Sequence, residues 1–170
     1  MDEKLIIPSD TSAESISAEQ LKQRNAWLEQ SLNPNSDLPE VDIMLLNGAL
    51  DPCSSALPPD VFEGNAGSLY IKLTGTDDTI GDVVYGKDDS APNKLVLTDV
   101  SILDEVQGQG YGRRLYLEAL KALPVGYGAV CHSMLSDDAE KVWQWLIGAG
   151  VAQKRRGEPS SQLGRYETVF

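Results

Sequence analysis

Three glycines at alternate positions, Gly108, Gly110 and Gly112, stand between a strand-like segment and an amphipathic helix, and this junction limits what the chain can fold into. Upstream, Leu95, Val96, Leu97, Val100, Ile102 and Leu103 form an apolar run interrupted by Thr98, Asp99 and Ser101, which predicts a strand. Downstream, Tyr111, Leu115, Ala119 and Ala122, with Tyr116, Leu120 and Leu123 beside them, recur at three- and four-residue spacing. A helix therefore begins at the glycines and stops before Pro124. After the acidic turn at Asp104 and Glu105, the glycines lack the Cβ atoms that would keep a ligand away from main-chain N–H groups. The helix start adds unpaired donors and the positive end of the helix dipole. The segment Gln107-Gly108-Gln109-Gly110-Tyr111-Gly112 is thus suited to hold a diphosphate. Arg113 and Arg114 put two cations into the first helical turn, which conflicts with the dipole but suits an anion.

Two common phosphate motifs are excluded. The dinucleotide fingerprint would need its third glycine at Arg113 or Leu115, and the loop of nucleotide triphosphatases would need a Gly-Lys-Ser/Thr that does not follow. What remains is Gln-x-x-Gly-x-Gly, with Gln107, Gly110 and Gly112 as its fixed positions. This stretch resembles the acetyl-CoA loop of the GNAT superfamily of N-acetyltransferases, where Gln/Arg-x-x-Gly-x-Gly/Ala joins the fourth strand to the third helix. A glycine-rich turn without a ligand is the plain alternative.

The following sequence keeps the family's order. Tyr127 to Met134 reads as a fifth strand. Asp137 and Glu140 form a capping box, and Ala139, Val142, Trp143, Leu146 and Ile147 give a helical stripe ending at Gly148 and Gly150. The family's fourth helix reads Asn-x-x-Ala-x-x-Leu-Tyr; Ser136, Ala139, Val142 and Trp143 are the corresponding residues here. Val151 to Arg155 and Arg165 to Phe170 make a closing hairpin. The resemblance spans about residues 66–170 and implies an α/β (α+β) GNAT-like acyltransferase fold, with a central mixed β-sheet flanked by helices and splayed between its fourth and fifth strands.

Length points to one domain over 1–170, with 41% hydrophobic residues to fill a core. The N-terminal part departs from the family plan. Residues 1–16 read as a polar tail, and 17–65 as an atypical segment. It holds a helix from Ser17 to Leu32, capped by Ser17 and Gln20 and carrying Leu21, Leu28 and Leu32 on one face. Prolines at 34, 39, 52, 58 and 59 then leave a short strand from Val41 to Leu46. Ser68 to Leu73 and Ile80 to Tyr85 follow as strands joined by a Gly-Thr-Asp-Asp turn.

No apolar stretch approaches the roughly 20 residues of a membrane span, and the acidic start does not read as a signal peptide, so a soluble cytoplasmic protein is expected. Cys53 and Cys131 match no metal spacing, and His132, the one histidine, reads as a strand residue, so no metal is expected. Residues 1–105 carry 20 acids and 6 bases, and residues 106–170 carry 6 acids and 8 bases, within a net charge of −12. Only the C-terminal part suits a polyanion such as CoA; nucleic acid is disfavoured. The acidic half serves solubility first, and would also suit a cationic amine. A homodimer or a larger assembly through the N-terminal segment is left open.

The resemblance implies transfer of the acetyl group of acetyl-CoA, a cosubstrate, to a small-molecule or protein amine by direct attack. Gln107, Gly108, Gln109, Gly110, Tyr111, Gly112 and Arg113 would hold the pyrophosphate. The strand around Val100, Ser101 and Ile102 would pair with the pantetheine amides and offer an N–H to the thioester carbonyl. The family's usual base falls on Val96 and its usual acid on Trp143, neither of which can move a proton. Asp99, or Thr98 or Ser101 through water, would substitute as base; Asp99 reads equally as a solvated strand residue. An inactive GNAT-like binding or structural module is the competing reading.

Overall fold

A computed structural model describes residues 13–45, 65–88, 90–156 and 163–170. In chain order these form α1 (Ala13–Leu32), β1 (Val41–Leu45), β2 (Asn65–Leu73), β3 (Thr79–Lys87), β4 (Lys94–Ile102), a 3-10 turn (Asp104–Val106), α2 (Tyr111–Lys121), β5 (Gly128–His132), α3 (Asp137–Gly148), β6 (Ala152–Lys154) and β7 (Leu163–Thr168). The strands make a seven-stranded sheet in the order β1-β2-β3-β4-β5-β7-β6. β1 to β4 run as an antiparallel meander, β4 and β5 are parallel, and β7 pairs antiparallel with both β5 and β6. A parallel pair needs a crossover, and α2 supplies it. This is the mixed α/β, GNAT-like arrangement that the resemblance implies.

The splay is visible in the register. β4 pairs with β5 only from Lys94 to Leu97, against Gly128 to Cys131, so Thr98 to Ile102 lie beyond the last parallel pair. β4 also carries a bulge: Val84 faces Asp99 and Tyr85 faces Leu97, which leaves Thr98 out of step. The Thr98 hydroxyl donates to the Val84 carbonyl at 3.1 Å. The extra residue changes which side chains share a face. Leu95, Leu97, Val100 and Ile102 pack with the helices, whereas Val96 sits in a small cluster with Val130 and Leu163 on the opposite face. Asp99 and Ser101 follow Val96 onto that opposite face, because residues paired across an antiparallel ladder point the same way.

The main core joins Leu28 and Leu32 of α1, Leu115 to Leu117 of α2, and Trp143 and Leu146 of α3 to Leu69, Ile71, Val83, Tyr85, Leu95 and Leu97 of the sheet. Two devices hold α2 in place. Arg24 of α1 donates to the carbonyls of Lys121, Leu123 and Pro124 at 3.0, 2.6 and 3.2 Å, and Asn25 to that of Lys121 at 3.1 Å. These side chains satisfy carbonyls that a helix leaves open at its C-terminus. Tyr85, fully buried, donates its hydroxyl to the Ala119 carbonyl at 2.7 Å.

Several boundaries differ from the sequence reading. α1 begins at Ala13 rather than Ser17, since Ala13 and Glu14 favour helix and no glycine or proline intervenes; the expected tail therefore shortens, and residues 1–12 lie outside the described ones. β1 is described from Val41 to Leu45, and Leu46, the last residue of the expected strand, and Cys53 lie outside the described residues. The cap of α3 is Ser136, not Asp137: Ser136 is extended, with φ −68 and ψ 161, and its hydroxyl accepts from the Ala139 N–H at 3.2 Å. Glu140, assigned to a capping box, instead accepts from the Tyr166 hydroxyl. Ser136→Ala should accordingly lower the stability of the protein by about 1 kcal/mol in urea denaturation, with an unchanged m-value. A loss equal to that of a surface substitution would show that the cap does not hold α3.

Candidate functional site

The junction after β4 is built from the main chain. Gly108 and Gly110 have φ of 80 and 89, the left-handed region that glycine enters without cost, and they turn the chain from the 3-10 turn into α2. Gly110 is the N-cap of α2, and no side chain caps that end. Arg114 N–H bonds back to the Gly110 carbonyl at 3.0 Å. Among the described residues, the N–H groups of Gly108, Gly110, Tyr111, Gly112 and Arg113 have no hydrogen-bond acceptor, while that of Gln109 closes the turn over Gln107 and Gly108. Helix N-termini with free donors attract anions through both these groups and the dipole.

Beside the junction lies a cleft of about 470 Å³, within the range of small-ligand pockets. Its walls are Val100, Ser101 and Ile102 of β4, Gln107, Gly108 and Gly112 of the junction, and Ser136, Asp138, Ala139 and Val142 from the start of α3. The cleft opens where β4 and β5 part, so the splay and the glycine turn are two sides of one cavity. Gln107 ties them together: its side-chain amide donates to the Ile102 carbonyl at 3.3 Å and to Asp104 Oδ1 at 3.0 Å.

Of the residues singled out from the sequence, Val100, Ser101, Ile102, Gln107, Gly108 and Gly112 line the cleft. Gln109, Gly110 and Tyr111 belong to the turn beneath it, with Gly110 packed toward Pro39 from the segment before β1. Arg113 is exposed, and its guanidinium lies 5.0 Å from the centroid of the Trp145 ring, a cation–π contact that steadies it at the helix start. Arg114 does not join it. Its side chain is 15% exposed and paired with buried Glu118 at 2.7 Å, because position 114 falls on the inner face of α2. The expected arginine pair is therefore a single surface cation.

Asp99 is exposed and stands outside the cleft, on the face opposite the helices, where it accepts a hydrogen bond from the Ser101 hydroxyl at 3.3 Å. Val96 and Trp143 are fully buried, so neither reaches the cleft. His132 is a strand residue whose Nδ1 accepts from the Met134 N–H at 3.1 Å. Asp138 and Asp82 had not been singled out. Asp138 lines the cleft from the first turn of α3. Asp82 sits in β3 directly across from Ser101, and its signal in the sequence is a lone carboxylate within the apolar run Ile80 to Tyr85. Its half-burial, and next the nearby Asp99 charge, push the Asp82 carboxyl above the usual range.

No family model matches the chain, and no curated protein sequence matches it either. Solved structures do. One, from Desulfovibrio desulfuricans and assigned to the GNAT family of acetyltransferases, aligns with 61% of this chain and 64% of its own at 16% identity and a TM-score of 0.43. Another, a Bacillus subtilis acetyltransferase in complex with CoA, aligns with 76% of this chain and 95% of its own at 13% identity and a TM-score of 0.40. The chain thus spans less than two thirds of the length of the first of these. By its own topology, which among the described residues is a mixed sheet with one parallel pair, β4–β5, flanked by three helices, the chain has a GNAT-like α/β fold.

Proposed function

We propose that the protein binds acetyl-CoA in the cleft between β4 and the start of α3 and transfers its acetyl group to a primary amine. The observation that carries this reading is the set of N–H donors at Gly108 and from Gly110 to Arg113 that have no acceptor among the described residues, beside a cleft that a splayed strand leaves open. A diphosphate satisfies donors of this kind, and Arg113, steadied by Trp145, adds a charge. The exposed edge of β4 from Thr98 to Ile102 offers unpaired main-chain groups to the amides of a pantetheine arm. A main-chain N–H of that edge, near Val100, would stabilise the oxyanion that forms on the thioester carbonyl.

The amine would approach from the sheet face that carries Asp99 and Ser101, where a carboxylate and a hydroxyl can orient it, and would attack as the free base after giving up its proton to water. Trp143 supplies no acid, being buried and a donor only. A thiol with a pKa of about 8.5 departs as thiolate near neutral pH without one. Calorimetry with CoA tests the site, and release of free thiol from acetyl-CoA tests the transfer. The expected result is saturable one-to-one binding with thiol release that rises on adding an amine. Binding without turnover is the outcome that a non-catalytic module would give, and the burial of Val96 and Trp143 is the observation in its favour.

A further inference from the structure

A second cleft, of about 420 Å³, opens at the other end of β4. It reaches Val130, which packs with Val96 and Leu163 on the sheet face opposite the helices. The nearest β4 residues of the two clefts are Lys94 and Val100, roughly 20 Å apart along the strand. The lining divides by chemistry. At the end of β6, Lys154, Arg155 and Arg156 are three consecutive cations, whereas Ala91, Pro92 and Asn93, from the turn between β3 and β4, carry no charge. Lys154 and Arg156 are exposed and, among the described residues, have no carboxylate partner. Arg155 is half-buried, and its Nε donates to the Gly164 carbonyl at 3.0 Å, which fixes the plane of the guanidinium. Lys94 adds charge while its amine donates to the Thr168 and Phe170 carbonyls at 2.9 and 2.6 Å. The acids at hand are fewer. Glu167 lines the cleft and accepts from the Gln153 amide at 3.4 Å; Asp88, near Arg155, is bonded mainly to Ser90. In a chain of net charge −12, cations gathered at one cavity repel each other, and an anion held there offsets that repulsion.

We propose that this second cleft binds a small phosphate monoester, at a site separate from the coenzyme cleft. The phosphate is received by Arg155 and Arg156, whose planar forks match its oxygens, and Lys154 and Lys94 strengthen the local field. The uncharged body of the molecule lies toward Ala91, Pro92 and Val130, where an anion alone would leave apolar surface uncovered. The volume suits such a molecule: it is far more than a bare ion fills, and it falls within the range of small-ligand pockets. A dianion gains more from several cations than a carboxylate does, which favours phosphate. The site stands on its own residues and does not depend on the acetyl-CoA reading.

The test follows backbone amide signals of the full chain by NMR during titration with phenyl phosphate, at constant ionic strength and about pH 8, where the probe is a dianion. Signals of Asn93, Gln153 and Arg155 should move along one saturating curve, while those from Gly108 to Arg113 report separately on the coenzyme cleft. Replacing both exposed cations, Lys154→Gln with Arg156→Gln, should weaken that curve about tenfold or more. Arg155→Lys keeps the charge but loses the fork, and should weaken it as well. Benzoate, with the same ring and a single charge, should bind at least about tenfold more weakly than phenyl phosphate. Shifts that do not saturate, or that persist unchanged in both variants, would overturn the proposal. Equal binding of benzoate would remove the phosphate assignment, and tighter binding of a hexaglutamate peptide would give the cleft to an acidic protein segment instead. CoA that moved the Gln153 and Arg155 signals as strongly as those from Gly108 to Arg113 would make the two clefts one site.

Discussion

Gly110→Val is expected to abolish the stabilisation that CoA gives the wild-type protein. With ligand at 100 times its Kd, the wild type should gain about 2.7 kcal/mol, a rise of roughly 5–10 °C in Tm for a chain of this size. Valine cannot take the place of Gly110 without moving the junction. The backbone there has φ 89, where a Cβ costs roughly 1–2 kcal/mol, and the added Cβ would meet Pro39 Cδ at 3.2 Å. Relief turns the chain at the N-cap, and with it the free N–H groups of Gly110 and Tyr111. A 100-fold weaker Kd leaves only about 0.4 kcal/mol of the shift at the same ligand concentration. Gly112→Leu separates the site from the fold. Gly112 is helical, a Cβ there meets nothing within 4 Å, and leucine favours helix over glycine by up to about 1 kcal/mol, so the free protein should melt no lower than the wild type. Its side chain would nonetheless project from a wall of the cleft and block the coenzyme. If both variants kept the full shift, the diphosphate would not be held at this junction.

The junction was legible in the sequence because its information is local. Glycine at alternate positions, an apolar run before and a three-four periodicity after are all read within about 30 residues, and β4, α2, β5 and α3 fall close to where these signals put them. The bulge at Thr98 was not legible, since it depends on how β3 and β4 pair rather than on either strand alone. That single offset decides which residues of β4 see the cleft and which see the opposite face, and so it moved Asp99 away from Val100 and beside Asp82. Arg114 was misplaced for a related reason. Charge next to a glycine loop suggested ligand contact, but helical phase turns position 114 inward, where Glu118 at i+4 was waiting for it. Asp138 entered the cleft only because α3 returns over β4, a tertiary fact with no local trace. Asp82 had a trace, a carboxylate in an apolar strand, whose meaning required its partner across the ladder.

The way α2 is fastened to the sheet sets a second large effect, on stability at high pH. Tyr85 and Tyr116 are both buried, and burial pushes each phenol well above its ordinary value of about 10; for Tyr85 the nearby Glu118 pushes the same way, while Arg24 opposes it. The folded state keeps these protons while the unfolded chain gives them up above about pH 10, so the stability they supply is whole below that pH and is lost as pH rises past it. At pH 12 the loss is on the order of 2–3 kcal/mol for each tyrosine, a large part of a typical domain's stability. Half-buried Lys94 works in the opposite sense, because burial lowers its amine's pKa, so differences between variants carry the test rather than the wild-type slope. Tyr85→Phe loses the hydrogen bond to the Ala119 carbonyl and should be about 1 kcal/mol less stable than wild type at pH 7. It has no phenol to ionise at this site, so its curve against pH should be flatter and cross that of the wild type between about pH 10 and 11, leaving the variant the more stable protein by about 1–2 kcal/mol at pH 12. Urea denaturation of both proteins from pH 7 to 12 measures this directly. Parallel curves would mean that Tyr85 ionises as readily in the fold as out of it, and that β3 does not hold α2, and the glycine junction at its start, through a buried phenol.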